Sequence, residues 1–222
     1  MIVMVAISNS LSENGFLLRE GVLSKQTVKH LVTAIESLLK DEDHEDLVLD
    51  ERGHPIKIRY PLSKHPSFLD SLANPSLIRL VDSLFPKGDA VLTWEDVLVK
   101  QPNSDTEVLV HQDLALQTTE GDVFSIGLSL HDDSHNPVFF LPGSHQSGAL
   151  TRSEVQVLDE FARASFIPVE TKSGDALVHD VRCVHYSEPM MSDTPRYTWY
   201  LEFRSESDLR KHGPWKEDWI DS

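Results

Sequence analysis

Ala90-Val91-Leu92-Thr93-Trp94-Glu95-Asp96-Val97-Leu98-Val99-Lys100 is the stretch on which the fold turns, because here the chain leaves helical spacing for short β-rich segments separated by turn residues. The same character returns at residues 108–112, 123–130, 138–141, 166–170, 176–178 and 197–203, with one helix over about 153–164 interrupting it. Seven short strands preceded by helices predict a mainly β fold with flanking helices. The expected architecture is a β-sandwich or jelly roll with the helices on one outer face.

Upstream, Ser24 stands directly before a segment whose apolar residues Val28, Leu31, Val32, Ile35, Leu38 and Leu39 recur at helical spacing, so it can N-cap an amphipathic helix ending near Lys40. Phe68, Leu69 and Leu72 begin a second helical stretch. Asn74-Pro75 supplies a fresh cap and first-turn proline before Leu77, Ile78, Leu80, Val81 and Leu84. Residues 52–66 lack periodicity and are read as a loop or weak strand. No composition shift divides the chain, so residues 1–222 are read as one domain: a helical N-terminal region over residues 1–88, a β core over residues 89–205 and a tail over residues 206–222 whose Trp215 and Trp219 dock on the body.

A formal net charge of −16 over 222 residues disfavours nucleic acid, anionic membrane surfaces and polyanionic substrates. The dense run Asp41-Glu42-Asp43-His44-Glu45-Asp46 is acidic and reads as a solvated loop. A single cysteine, Cys183, allows no internal disulfide and fits a reducing compartment. The apolar start, residues 1–7, is too short for a membrane span and lacks the basic flank of a signal peptide, so a cytoplasmic location is expected.

The pattern with chemical content is His-x-Asp, since alternate residues of a strand point the same way and offer a nitrogen and a carboxylate to one ion. The chain holds it three times, as His44-Glu45-Asp46, His111-Gln112-Asp113 and His131-Asp132-Asp133. At least two copies must therefore mean something else. The first falls in the acidic run. The third ends a strand and reads equally as a polar turn, so the pattern by itself leaves the choice open.

Further along, Gly174-Asp175-Ala176-Leu177-Val178-His179-Asp180 leads to His185-Tyr186-Ser187 and, eleven residues after that histidine, to Arg196. This stretch resembles the distal half of the phytanoyl-CoA dioxygenase-like (PhyH) family, and Leu141-Pro142-Gly143-Ser144-His145 is similar to that family's Pro-Gly-Ser-His turn. His111-Gln112-Asp113 resembles its proximal ligand pair. Residues 13–24, Glu13-Asn14-Gly15-Phe16 through Val22-Leu23-Ser24, are similar to its opening strand and first helix.

The resemblance implies a double-stranded β-helix (jelly roll, cupin-like) and an Fe(II)- and 2-oxoglutarate-dependent dioxygenase that consumes O2. It selects His111 and Asp113, which precede Pro142 by about thirty residues as in the family, and with His185 they become the iron ligands. Arg196 is then the holder of the far carboxylate of 2-oxoglutarate, Ser187 a hydroxyl donor to it and Lys100 a further contact. Where the family commonly has an Asn-Gly turn, this chain has His135-Asn136-Pro137. His145 is expected to stabilise its turn, and His179 to line the core or the site rather than to ligate.

The reaction implied is oxidation, foremost hydroxylation, of a small uncharged or cationic metabolite, with 2-oxoglutarate decarboxylated to succinate; desaturation or cyclisation would use the same ligands. Acyl-CoA is disfavoured because its phosphates would ask for clustered Lys and Arg. Halogenation is disfavoured because Asp113 is present. Ile56 to Tyr60, Leu114, Leu116 and Phe139 are the expected pocket lining. Two other classes use the same barrel: a metalloprotein of isomerase or hydrolase type, which would not need Arg196, and a binding module without turnover.

Overall fold

A computed structural model describes residues 11–40, 46–85, 87–102, 107–113, 121–132 and 136–213. The N-terminal apolar stretch, most of the acidic run including His44, and the tail tryptophans Trp215 and Trp219 lie outside the described residues. A short helix α1 (Leu11–Asn14) and strand β1 (Phe16–Arg19) precede helix α2 (Lys25–Leu38), after which β2 (Leu47–Leu49) and β3 (Pro55–Arg59) form a hairpin. Helices α3 (Pro66–Leu72) and α4 (Pro75–Leu84) follow. Then come β4 (Ala90–Lys100), β5 (Val108–His111), β6 (Val123–Ser129), β7 (Val138–Phe140), helix α5 (Arg152–Ala162), β8 (Ile167–Val169), β9 (Ala176–Asp180), β10 (His185–Ser187), β11 (Arg196–Ser205) and helix α6 (Glu206–His212).

The helices form where capping and apolar spacing agree. Ser24 accepts a hydrogen bond from the Thr27 amide at 3.1 Å, Asn74 from the Ser76 amide at 2.8 Å, and Thr151 with Glu154 completes a reciprocal capping box on α5. The strands make two antiparallel sheets, one in the order β1-β9-β6-β11-β4-β3-β2 and one in the order β5-β10-β7-β8. Facing each other, they are the two walls of a double-stranded β-helix.

Alternation along the large sheet sorts its two faces. Val97, Val99, Ile126, Leu128, Val178, Trp199 and Leu201 share one core with Val28, Leu31 and Ile35 of α2, Phe68 of α3 and Leu77 and Leu80 of α4. Each such side chain contributes about 1.5–3 kcal/mol when fully buried. The opposite face, turned toward the small sheet, carries Lys100, His179 and Arg196, with Lys100 directly opposite Arg196 in the β4–β11 register. The fold thus puts its apolar positions against the helices and its chemistry inside the sandwich.

Two details differ from the sequence expectation. Helix α5 is not with the other helices: Leu158 and Ala162 pack with Val110, Phe139 and Tyr186 on the outer side of the small sheet, so both sheets are flanked. The tail begins with an ordered helix, α6, whose Asp208 pairs with the buried Arg204 guanidinium at 2.6 Å and accepts the Gly121 amide at 2.9 Å. Among the described residues, no helix is long and apolar enough to cross a membrane.

Candidate metal centre

His111 ends β5 and lies directly opposite His185 on β10, so the two imidazoles project from the same face with ring centroids 4.2 Å apart. Each ring is oriented from behind. Nδ1 of His111 meets the Leu109 carbonyl at 2.8 Å and Nδ1 of His185 the Cys183 carbonyl at 3.0 Å, which puts a hydrogen on Nδ1 and turns Nε2 forward. Asp113, two residues past His111, brings Oδ1 to 3.3 Å from His111 Nε2 and 3.7 Å from His185 Nε2. One ligand atom from each of the three lies within 4.8 Å of the others, close enough to hold a single ion.

The electrostatics suit a cation. Burial alone would raise the Asp113 carboxyl, but the facing histidines outweigh it and hold it well below the usual carboxylate range. Burial disfavours charge on His185 and pushes it down to about 3, with the neighbouring His111 acting in the same direction. On His111 burial also works against the charge, yet the Asp113 carboxylate prevails and the value is raised. His185 is therefore a neutral donor, and the favourable pairing of His111 with Asp113 shows that the site stabilises positive charge, as it would that of a divalent cation.

The Pro142-Gly143-Ser144-His145 turn supports this arrangement from one side. Gly143 takes the left-handed conformation, φ 77°, and the Ser144 hydroxyl accepts the Val184 amide at 2.8 Å, fixing the chain as it enters β10. His145 meets the Ser12 carbonyl at 3.2 Å, the turn-stabilising role expected of it. Cys183 is buried among Ser144, Asn14 and Leu141, and burial pushes its thiol up to about 12.

Lys100, Ser187 and Arg196 also come together. Lys100 Nζ donates to Ser187 Oγ at 2.9 Å and to the Glu188 carbonyl at 2.7 Å, and both Lys100 Nζ and Arg196 Nη1 reach Asn136 Oδ1 at 2.9 Å. Two buried cations converging on one neutral amide oxygen make a concentrated positive pole. In the sequence Asn136 stands out only as a departure from the family's turn, because Asn-Pro reads as a turn whatever its side chain does.

His179 lines the site, one of the two places expected for it. Its Nε2 lies 2.7 Å from Asp113 Oδ2, reaching across from β9. Nothing in sequence periodicity tells which sheet face it takes. The other copies of His-x-Asp are elsewhere: the His131 ring packs edge-on against Tyr197 at 5.2 Å, Asp132 accepts the Ser173 amide, and Asp133 and His44 lie outside the described residues. Of the expected pocket residues, Ile56 lines a cavity, Leu114 and Leu116 are outside the described residues, and Phe139 faces outward, stacked on Tyr186 at 4.7 Å. The expectation for Phe139 fails because its neighbour Phe140 has the parity that faces inward. The cavity, about 360 Å³, is bounded by the β2–β3 hairpin, the end of β4 and β5, and touches both Lys100 and His111.

Comparison with known proteins agrees with the geometry. A curated relative, phytanoyl-CoA dioxygenase domain-containing protein 1 of Danio rerio, is 26% identical over 189 residues, which cover 78% of this chain and 62% of that protein. The chain thus spans less than two thirds of the length of that relative. Among solved structures, AviO1 from Streptomyces viridochromogenes Tue57 is 26% identical with a TM-score of 0.70, over 89% of this chain and 93% of that one. EctD from S. alaskensis with bound Fe shares the fold at 20% identity and a TM-score of 0.77, over 89% of this chain and 75% of that one. It has also been solved with 2-oxoglutarate and 5-hydroxyectoine. The family model described as phytanoyl-CoA dioxygenase (PhyH) matches residues 11–198, a span that takes in β1, every residue of the metal centre and Arg196 at the edge of β11; the chain belongs to that family.

Proposed function

We propose that this chain is an Fe(II)- and 2-oxoglutarate-dependent oxygenase, a single domain over residues 1–222, that hydroxylates a small neutral or cationic molecule with an apolar body. The observation that carries the reading is the cavity of about 360 Å³ whose wall includes a histidine of the metal centre, His111, and a cation of the positive pole, Lys100. A cosubstrate that must bind metal at one end and a cation at the other is what such a cavity suits.

His111, Asp113 and His185 would hold the iron. Their donor set, two neutral imidazole Nε2 atoms and one carboxylate oxygen, fits a divalent first-row ion and leaves positions open for ligands. Arg196, Lys100 and Ser187 would hold the far carboxylate of 2-oxoglutarate, with the guanidinium and ammonium neutralising it and the hydroxyl donating. When bound, Fe(II) and 2-oxoglutarate would supply the oxidising chemistry: O2 takes two electrons from the oxidative decarboxylation of 2-oxoglutarate and two from a substrate C–H bond, one oxygen atom going to succinate and the other to the product hydroxyl, with CO2 released.

The protein's own share is to bind, orient and exclude. Ile56, Leu98, Val108 and Leu109 give the cavity apolar walls, while Asp50 and Glu107 are the carboxylates on its lining. Together with the overall charge of −16, this favours a neutral or cationic substrate over an acyl-CoA. An anaerobic titration with Fe(II) and then 2-oxoglutarate tests the proposal. A visible charge-transfer band that needs both is the expected result. Metal binding without the band would move the protein to isomerase or hydrolase chemistry, and binding of neither would make it a binding module.

A further inference from the structure

Asp113 has two carboxylate oxygens, and its neighbours use them differently. Oδ1 faces Nε2 of His111 and of His185, whereas Oδ2 takes Nε2 of His179 at 2.7 Å. The two ligand histidines stand on the small sheet; His179 comes from β9 in the large one, so this contact crosses the sandwich. Its side chain is 3% exposed, and its ring lies 5.4 Å from that of Phe140 and 4.6 Å from that of His185. Buried against these two rings of the small sheet, the imidazole has little room to swing away.

We propose that His179 is a positioning residue that holds Asp113 as a one-oxygen ligand and thereby keeps coordination positions free for the cosubstrate and O2. The inference rests on the oxygenase reading above. A carboxylate beside a divalent ion can bind through one oxygen or chelate through both. With two imidazoles present, chelation would fill four of six positions. Only two would remain, one short of what a bidentate 2-oxoacid and O2 require together. A charge-assisted N–H···O bond of 2.7 Å engages Oδ2 and fixes the plane of the carboxylate, so Oδ1 alone is presented to the site. His179 is not itself a member of the ligand set: among the described residues, the atoms grouped within 4.8 Å are those of His111, Asp113 and His185.

A rigid donor reaching from the opposite sheet also does what a local hydroxyl would not. It ties the β9 wall to the residue that follows β5, so the carboxylate's orientation is set by the packing of both sheets rather than by one strand end.

The test compares His179→Gln, whose side-chain amide is a donor of similar reach, with His179→Met, which has similar length and no donor. Each protein is titrated anaerobically with Fe(II) in the presence of 2-oxoglutarate, following affinity and the position and intensity of the charge-transfer band, with thermal melting of the metal-free protein as the control for folding. The expected result is a roughly 10- to 100-fold loss of Fe(II) affinity and a displaced or weakened band in His179→Met, with His179→Gln close to the wild type. Equal affinities and identical bands in both variants, with only the melting temperature lowered, would make His179 a core residue and overturn the inference. A wild-type protein that gives no band removes the oxygenase reading and this inference with it. Should His179→Met not fold, His179→Phe is the second donorless variant, since aromatic rings already surround the position.

Discussion

His111-Gln112-Asp113 and His131-Asp132-Asp133 share a pattern and each stands at the end of a strand of the barrel, yet among the described residues only the first is grouped with a further histidine as a candidate metal centre. The difference lies in the middle residue and in what each copy faces. Gln112 is 2% exposed and turned away from the site, where its amide donates to the carbonyls of Gly148 and Arg182 and accepts the Leu150 amide at 2.8 Å. Three backbone groups from two segments, residues 148–150 and Arg182, thereby clamp the link between His111 and Asp113. Asp132 is exposed, and its carboxylate accepts the Ser173 amide at 2.9 Å. In front of the first copy stand His185 and His179; the second has the edge of Tyr197 against its histidine. What sets the candidate pair apart is thus the anchoring of its spacer and the opposing wall, neither of which the pattern itself contains.

The largest expected effect breaks the comparison outright if it goes the wrong way. Asp113→Ala removes the only carboxylate of the set, so Fe(II) affinity and hydroxylation should fall by more than about a hundredfold, beyond the 10- to 100-fold typical of outer partners. His131→Ala should leave Fe(II) affinity near that of the wild type. Equilibrium dialysis against Fe(II) under anaerobic conditions, with both variants side by side, measures this. The opposite pattern would transfer the centre to the end of β6.

The spacer comes next. Gln112→Leu keeps the volume but strips partners from the Leu150 amide and the Gly148 and Arg182 carbonyls, at about 1–3 kcal/mol for each buried group left unsatisfied. The three groups belong to half-buried residues and lie at the low end of that range, so the melting temperature should fall by roughly 6–12 °C, using about 2–4 °C per kcal/mol for a chain of this size. Fe(II) affinity should fall as well, by about tenfold, because Asp113 loses its tether. Lost stability with intact metal affinity would show that the spacer holds the fold and not the ligands.

These contrasts mark where sequence reading stops. Helices α2, α3, α4 and α5 are legible because spacing and caps coincide, and the long strands β4, β6 and β11 because alternation over seven or more residues has one interpretation. Strands β2 and β10 have three residues each, too few for a period, and exist only through their partners. Resemblance alone gives Lys100, Ser187 and Arg196 one task, and the structure brings them within hydrogen-bond reach of one another or of Asn136. The role of Asn136 and the bond from His179 to Asp113 are not legible, since each depends on contacts between segments more than thirty residues apart.

Arg196 sharpens the comparison from another side, because its neighbour Tyr197 packs against His131. Two charge-assisted hydrogen bonds to 2-oxoglutarate would each contribute about 1.5–3 kcal/mol. Arg196→Lys keeps the charge and loses the fork, so the 2-oxoglutarate requirement should rise roughly ten- to a hundredfold at 1.4 kcal/mol per decade, with Fe(II) affinity unchanged. Arg196→Gln should be worse, since a neutral amide leaves the carboxylate uncompensated. Succinate formation at saturating iron reads both. Unchanged requirements would assign the carboxylate to Lys100.

The smallest expected effect belongs to Asp132→Ala. The carboxylate oxygen that accepts the Ser173 amide joins the end of β6 to the turn that opens β9, and the bond is exposed to solvent. An exposed hydrogen bond sits at the low end of the usual net contribution, about 0.5 kcal/mol, so the metal-free protein should melt only about 1–2 °C lower. Binding of Fe(II) to the folded chain alone adds stability that grows with the logarithm of ligand concentration over Kd, whatever the starting melting temperature. The rise in melting temperature on adding Fe(II) should therefore be the same in Asp132→Ala as in the wild type, displaced downward by that small offset, and absent from Asp113→Ala. The two curves separate the roles without an activity assay: a parallel displacement means that Asp132 only braces a turn, whereas loss of the iron-dependent rise in Asp132→Ala would mean that the second copy, not the first, holds the ion.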